Sequence, residues 1–175
     1  MNRMIMFAAG AAALSLAAPA MAHDKTAFAP TGFRVEALAG WDRPSADGEH
    51  ASGFVYGAGA GYDFAVGSTV SLGVDVEASD STANDSGLKA GRDLYAGGRV
   101  NFAVAPKANL YVKAGYTNAR VSGFGIGENF DGFRAGVGGQ FVFTGKAYVG
   151  AEYRYSNYQS DFSRHQVVLT LGTRF

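Results

Sequence analysis

Apolar and polar residues alternate with a period of two in eight segments of this 175-residue chain. Because successive side chains of a β-strand point to opposite faces, each segment is predicted to form a strand with one apolar and one polar face. The predicted strands cover approximately residues 31–41, 53–64, 69–78, 93–104, 109–117, 133–143, 147–156 and 165–175. Their lengths are close to the ~9–11 residues with which a tilted strand crosses a bilayer.

The first 22 residues instead have the features of a secretory signal peptide. Arg3 supplies a positive charge, an apolar run follows it, and Ala20 and Ala22 are the small residues at −3 and −1 of a cleavage site. We predict a signal peptide over residues 1–22 and one mature domain over residues 23–175. A helical membrane anchor is disfavoured because the segment is rich in alanine and short for a ~30 Å hydrocarbon layer.

The aromatic residues of the apolar faces distinguish two kinds of antiparallel sheet. A soluble β-sandwich would bury these faces, whereas a membrane barrel turns them towards lipid. The aromatic residues gather near both ends of the strands and leave an aliphatic band between them, which is typical of the two girdles of a membrane barrel. The predicted girdle residues are Trp41, Phe54, Tyr56, Tyr62, Phe64, Phe102, Tyr116, Phe133, Phe141, Phe143, Tyr153 and Tyr155.

Loop length also alternates along the chain. The connections at 42–50, 79–92, 118–132 and 157–164 are long and polar, whereas those at 65–68, 105–108 and 144–146 are short. Outer-membrane barrels have short periplasmic turns and longer external loops. The predicted fold class is therefore all-β: an eight-stranded antiparallel up-and-down transmembrane β-barrel with both termini in the periplasm.

The polar faces carry ionisable side chains of both signs in equal number, and these would face the barrel lumen. The predicted lumen charge network consists of Arg34, Glu36, Asp63, Asp75, Glu77, Asp93, Arg99, Lys113, Arg134, Glu152, Arg154 and Arg174. Charges held away from water must pair, and an eight-stranded barrel is just wide enough for its own side chains. These points favour a plugged lumen over a narrow ion or water path, although glycines on the same faces leave room for the latter.

The closing segment, HQVVLTLGTRF, places Val167, Leu169, Leu171 and the terminal Phe175 on one face. It resembles the C-terminal signal that the outer-membrane barrel assembly machinery recognises. Together with the signal peptide and eight strands, it makes the mature chain similar to the small outer-membrane β-barrel domain family, which includes opacity-type surface proteins and the OmpA transmembrane domain. The resemblance implies a location in the bacterial outer membrane, contact with outer-membrane lipid and lipopolysaccharide, and assembly by that machinery. No periplasmic peptidoglycan-binding domain follows the last strand, so a wall-tethering role is not implied.

Catalytic, metal and cofactor sites are weakly supported. Ser163 and His165 share one face, but the pair lacks a third member that would orient the base. The three histidines have no ligand spacing, the acidic segment 79–86 lacks the pattern of a calcium loop, and there are no cysteines. The glycine-rich stretch 123–127 does not join a strand to a helix, which excludes a phosphate loop. The formal net charge of zero gives no reason to expect a nucleic-acid partner.

The sequence therefore predicts a structural or surface-exposed outer-membrane protein, not an enzyme, with no cofactor and no metal. Phe124 and Ile126, with Phe130 nearby, are apolar residues in the third long loop. They suggest adhesion, a role in envelope integrity or contact with a host or environmental ligand, although packing within the loop explains them equally well. A small passive porin-like channel is the alternative function, and a lipid A-modifying enzyme is a remote one.

Overall fold

The computed structural model describes residues 27, 29–46, 49–50, 52–85, 88–123, 126–159 and 163–175. The predicted signal peptide and its cleavage site lie outside these residues. The described residues form ten strands, of which eight are long. Their bounds are β1 Gly32–Ala46, β2 Glu49–His50, β3 Gly53–Ala65, β4 Val70–Ser81, β5 Asn84–Asp85, β6 Leu88–Ala105, β7 Ala108–Gly123, β8 Ile126–Thr144, β9 Ala147–Tyr158 and β10 Ser163–Arg174.

The eight long strands form one closed antiparallel sheet. Each long strand pairs with the next along the chain, in the order β1, β3, β4, β6, β7, β8, β9 and β10. The sheet closes where β1 pairs with β10, from Arg34 opposite Arg174 to Ser45 opposite Ser163. Closure leaves no sheet edge with unpaired backbone N–H and C=O groups, which would have no hydrogen-bond partner in lipid. The predicted up-and-down barrel of eight strands is confirmed.

Short turns join the strands at the barrel end where β1 begins and β10 ends, which we call the terminal end. The turn between β8 and β9 consists of Gly145 and Lys146, and Gly145 has a φ of 48°. This left-handed conformation favours glycine, which has no Cβ to clash with the backbone. At the opposite end, which we call the loop end, β2 lies between β1 and β3, β5 lies between β4 and β6, and four residues separate β9 from β10, whereas only two separate β7 from β8.

The strands extend further towards the loop end than the sequence predicts. β6 begins at Leu88, and β7 continues to Gly123, which pairs with Ile126, the first residue of β8. Much of the segments 79–92 and 118–132, predicted as long loops, is therefore strand. The alternation fails to show this because the outward positions become polar beyond the girdle, as at Arg92 and Arg120, while backbone pairing continues in water.

Burial alternates along the strands with the polar side chains inside. In β4, for example, Ser71, Asp75 and Glu77 are buried while Leu72 and Val74 are exposed. Large apolar residues on the outside and charged residues on the inside are the reverse of a soluble barrel. No helix among the described residues is long and apolar enough to cross a membrane.

Candidate functional site: the charged lumen

Charged side chains from all eight long strands meet in the lumen. The structure places the twelve residues predicted for the lumen network on the inner face, and it adds Asp42 and Arg164. Arg174, at the terminal end, is the most accessible of them, with 15% of its side chain exposed. The fourteen residues divide into three groups along the barrel, and each group contains as many cations as carboxylates.

The terminal-end cluster consists of Arg34, Glu36, Asp63, Asp75, Arg99 and Arg174. Arg34 Nε donates to Asp63 Oδ2 at 3.0 Å, and its Nη2 donates to Asp75. Arg99 Nε donates to the second oxygen of Asp75 at 2.8 Å, while Arg174 donates to Asp63. Glu36 lies 3.8 Å from both Arg34 Nη1 and Arg99 Nη2 and accepts a hydrogen bond from Tyr148. Three cations and three carboxylates thus share one buried site.

The central cluster consists of Glu77, Lys113, Glu152 and Arg154. Arg154 donates to both oxygens of Glu77, and its Nε donates to Glu152 at 2.8 Å. Lys113 Nζ lies 2.9 Å from Glu152 and 3.4 Å from Glu77. Tyr111 donates to Glu152 at 2.7 Å, and its ring lies 4.4 Å from the guanidinium carbon of Arg99. Tyr111 therefore connects this cluster to the terminal-end cluster.

The loop-end cluster consists of Asp42, Asp93, Arg134 and Arg164. Arg164 donates to both oxygens of Asp42 and, through Nη1, to Asp93 at 3.2 Å. Arg134 also donates to Asp93, and its Nη1 lies 3.5 Å from Glu77 of the central cluster. Bidentate guanidinium–carboxylate pairs of this kind are among the stronger and more directional ion pairs in proteins.

Asp42 and Arg164 are the charged residues that the sequence prediction missed. Both had been assigned to loops, but β1 continues to Ala46 and β10 begins at Ser163. Counting in steps of two from Glu36 reaches Asp42, so the parity of β1 contained the necessary signal. The same count from Gln166 reaches Arg164.

Apolar residues also reach the lumen. Leu38, Val55 and Val168 form a buried cluster on the inner face of β1, β3 and β10. Several buried polar atoms lining the lumen, among them both amide atoms of Gln166 and Oγ1 of Thr170, have no hydrogen-bond partner within the described part of the protein. Buried groups of this kind are normally satisfied by bound water.

The outer wall carries the residues predicted for the girdles and the assembly signal. Eleven of the twelve girdle residues are exposed large aromatics, and Phe102 is partly exposed. Val167, Leu169, Leu171 and Phe175 are all more than half exposed on the same wall. Their roles in lipid and in assembly remain predictions.

The Ser163–His165 pair is not arranged as a nucleophile and its base among the described residues. The ring Nδ1 of His165 lies 2.7 Å from the hydroxyl of Tyr153, and its ring is 4.9 Å from that of Tyr155. No hydrogen bond to Ser163 accompanies these contacts within the described part of the chain. His165 thus extends the aromatic girdle at the loop end.

Comparison with protein families identifies the chain. The model of the outer membrane protein β-barrel domain matches residues 8–175. The chain belongs to the outer-membrane β-barrel domain family. It is therefore a protein of the bacterial outer membrane, which confirms both the resemblance and the location predicted from the sequence. Comparison with curated proteins gives no match.

Several solved outer-membrane barrels share the fold. Neisserial surface protein A superposes with a TM-score of 0.65 and 20% identity over 83% of this chain and 98% of that chain. Ail, the attachment invasion locus protein of Yersinia pestis, gives 0.60 and 19% over 83% and 100%. The N-terminal β-barrel domain of Pseudomonas aeruginosa OprF gives 0.57 and 16% over 83% and 100%. At these identities the likeness concerns the fold alone.

Proposed function

We propose that this outer-membrane β-barrel is a non-conducting structural protein whose lumen is closed by its own charges. The observation that carries the proposal is the fourteen-residue network, in which every long strand contributes and each of the three clusters is neutral. A water-filled pore would let such charges be hydrated separately. Here they pair with one another at hydrogen-bond distance, as buried charges must.

Single-channel recording in planar bilayers tests this function. The mature chain is refolded, and its folded state is checked by gel mobility with and without boiling. We expect a silent bilayer from the wild type. The charge-balanced variant Glu77→Ala/Arg154→Ala, which removes two side chains from the centre of the lumen, is expected to give small conductance steps. Reproducible steps from the folded wild type would overturn the plug.

A passive channel is the second candidate because of the unpaired polar atoms of the lumen. Arg99, Gln166 and Thr170 each bear a buried nitrogen or oxygen without a protein partner among the described residues. A path of water along these groups would explain them. In that case the conductance steps of Glu152→Gln should differ in ion selectivity from those of the wild type, because the substitution removes a central negative charge.

The outer wall supports a second part of the proposed role, contact with lipopolysaccharide. Arg43, Arg92 and Arg120 are exposed on the outward face towards the loop end, and none forms an ion pair with a described residue. Guanidinium groups suit the phosphates of lipid A in geometry and charge. The triple variant Arg43→Ser/Arg92→Ser/Arg120→Ser should co-purify with less lipopolysaccharide, whereas Lys107→Ser/Lys146→Ser, at the other end, should not.

We also propose that the external surface serves in adhesion or binds a host ligand. Phe124 and the side chain of Ile126 lie outside the described residues, whereas Phe130 is described and half-buried. A role in catalysis on lipid A has no support in the contacts of His165. Unchanged lipid A mass on overexpression of the chain is the expected result, and a mass shift lost in His165→Ala would contradict it.

A further inference from the structure

A shallow apolar groove of about 770 Å³ crosses the lipid-facing wall near the terminal end. Its floor includes two small residues that stand opposite each other, Gly139 on β8 and Ala151 on β9. Leu169 on β10 separates Ala151 from a third small residue, Ala39 on β1. Larger residues, including Phe141 and Leu171, form the row on the side of the terminal end. Almost all of the surface lining the groove is apolar, so the site is shaped for hydrocarbon.

Two exposed lysines lie at the terminal side of this groove, in the turns that join the strands lining it. The carbonyl of Lys107 accepts a hydrogen bond at 2.7 Å from Val142, the neighbour of Phe141. The carbonyl of Lys146 accepts one at 3.0 Å from Arg174, close to the end of β10. Neither ammonium group forms an ion pair with a described residue.

We propose that the groove and the two lysines form a binding site for an anionic phospholipid of the periplasmic leaflet. One acyl chain would lie over Gly139 and Ala151, and the phosphate would lie between Lys107 and Lys146. The position supports this occupant, because the short turns of outer-membrane barrels face the periplasm, which would place the lysines near the headgroups of that leaflet. Ammonium groups bind phosphate as point charges and do not require a fixed geometry.

A tryptophan reporter measures the site directly. The only tryptophan of the chain, Trp41, is at the loop end. A Trp41→Phe/Phe143→Trp background moves the fluorophore to the mouth of the groove, since Phe143 is exposed on the wall beside the Lys146 turn. The barrel is reconstituted in vesicles that contain either brominated phosphatidylglycerol or brominated phosphatidylcholine, and quenching of the reporter gives the relative affinity for the two lipids.

We expect preferential quenching by phosphatidylglycerol, with the preference falling about fivefold for each lysine replaced by serine. Gly139→Leu fills the floor, because even a Cβ added at this position would lie 3.3 Å from Leu110 Cδ2. This variant should also reduce the preference for phosphatidylglycerol. Ala96→Leu, the same kind of enlargement on the wall outside the groove, should leave it unchanged. Gel mobility confirms that each variant is folded.

Two results would overturn the site. Equal quenching by the two lipids, or a preference that survives Lys107→Ser/Lys146→Ser, would exclude recognition of the phosphate. A preference lost with the lysines but unaffected by Gly139→Leu would mean that the turns attract anionic lipid without the groove. Each result is independent of whether the lumen conducts.

Discussion

Glu77 is the carboxylate around which the most cations gather, and its replacement by glutamine tests the lumen network most directly. Arg154 donates to both of its oxygens, Lys113 lies at 3.4 Å and Arg134 at 3.5 Å. The glutamine side chain has the same shape but carries no charge. An amide NH2 group, which is a hydrogen-bond donor, replaces one carboxylate oxygen and faces these cations. The substitution therefore leaves an uncompensated positive charge in the lumen.

The magnitude follows from the partners that remain. Removing one member of a buried ion pair typically costs about 3–5 kcal/mol, because the other charge stays buried. In this barrel Arg154 and Lys113 keep Glu152, at 2.8 and 2.9 Å, and Arg134 keeps Asp93. We therefore expect the lower end of that range, about 3 kcal/mol. Glu77→Leu/Arg154→Leu restores the charge balance and should be less destabilised than Glu77→Gln alone.

Equilibrium unfolding by urea in phospholipid vesicles measures the loss, with Trp41 fluorescence and gel mobility as two readouts. Asp131→Asn is the matched control, because its exposed carboxylate contacts only Tyr116 and Asn118 among the described residues. Of the three variants, Asp131→Asn should change the free energy of unfolding least. A Glu77→Gln barrel as stable as this control would mean that water screens the lumen charges, which would refute the plug. A double variant no more stable than the single one would refute the role of charge balance.

Three further predictions concern the lumen, the wall and assembly. Tyr111→Phe removes a hydrogen bond to a buried carboxylate and should cost about 1.5–3 kcal/mol in urea unfolding, while Tyr153→Phe on the exposed wall should cost much less. Val76→Arg places a charge near the middle of the lipid-facing wall and should cost about 2–4 kcal/mol in the same assay, against about 0–1 for Thr82→Arg near the loop end. Phe175→Ser should slow membrane assembly in cells, measured by pulse-chase gel mobility, without shifting the urea midpoint of the refolded barrel.

The period of two predicts the inner and outer faces of the strands because the two sides of the wall are different solvents. A charged residue on the wrong side would lie in lipid, so the parity is visible in almost every strand. The prediction fails where that contrast ends. Arg43 is outward and polar, so the alternation stops at Trp41 although β1 continues to Ala46 and carries Asp42 into the lumen.

The partners within the lumen were not predictable from parity. Parity states that Glu77, Asp93 and Arg134 face inward, but not that they lie at the same height. Their heights depend on the stagger between neighbouring strands, which the closure of the barrel determines. Arg134 on β8 thus reaches Asp93 on β6 and Glu77 on β4, neither of which is on a neighbouring strand. The inward tyrosines, such as Tyr111, were also missed as partners, because parity places them on the inner face without showing which carboxylate each one reaches.

The ionic lumen is better explained by register than by stability. Buried ion pairs add little to stability compared with apolar residues of the same volume. A network of fourteen charged residues is therefore a poor way to stabilise a barrel. They are effective against misalignment, because a slip of one residue in a strand moves its whole inner face to the outside. For β9 such a slip would expose Glu152 and Arg154 to lipid, at about 2–4 kcal/mol for the arginine alone near the midplane. It would also deprive Glu77 of Arg154 and Lys113 of Glu152. Every long strand carries at least one such charge, so each of the eight has one pairing in which its charges are both buried and neutralised. The same network that we propose to close the lumen therefore specifies the alignment of the strands around it.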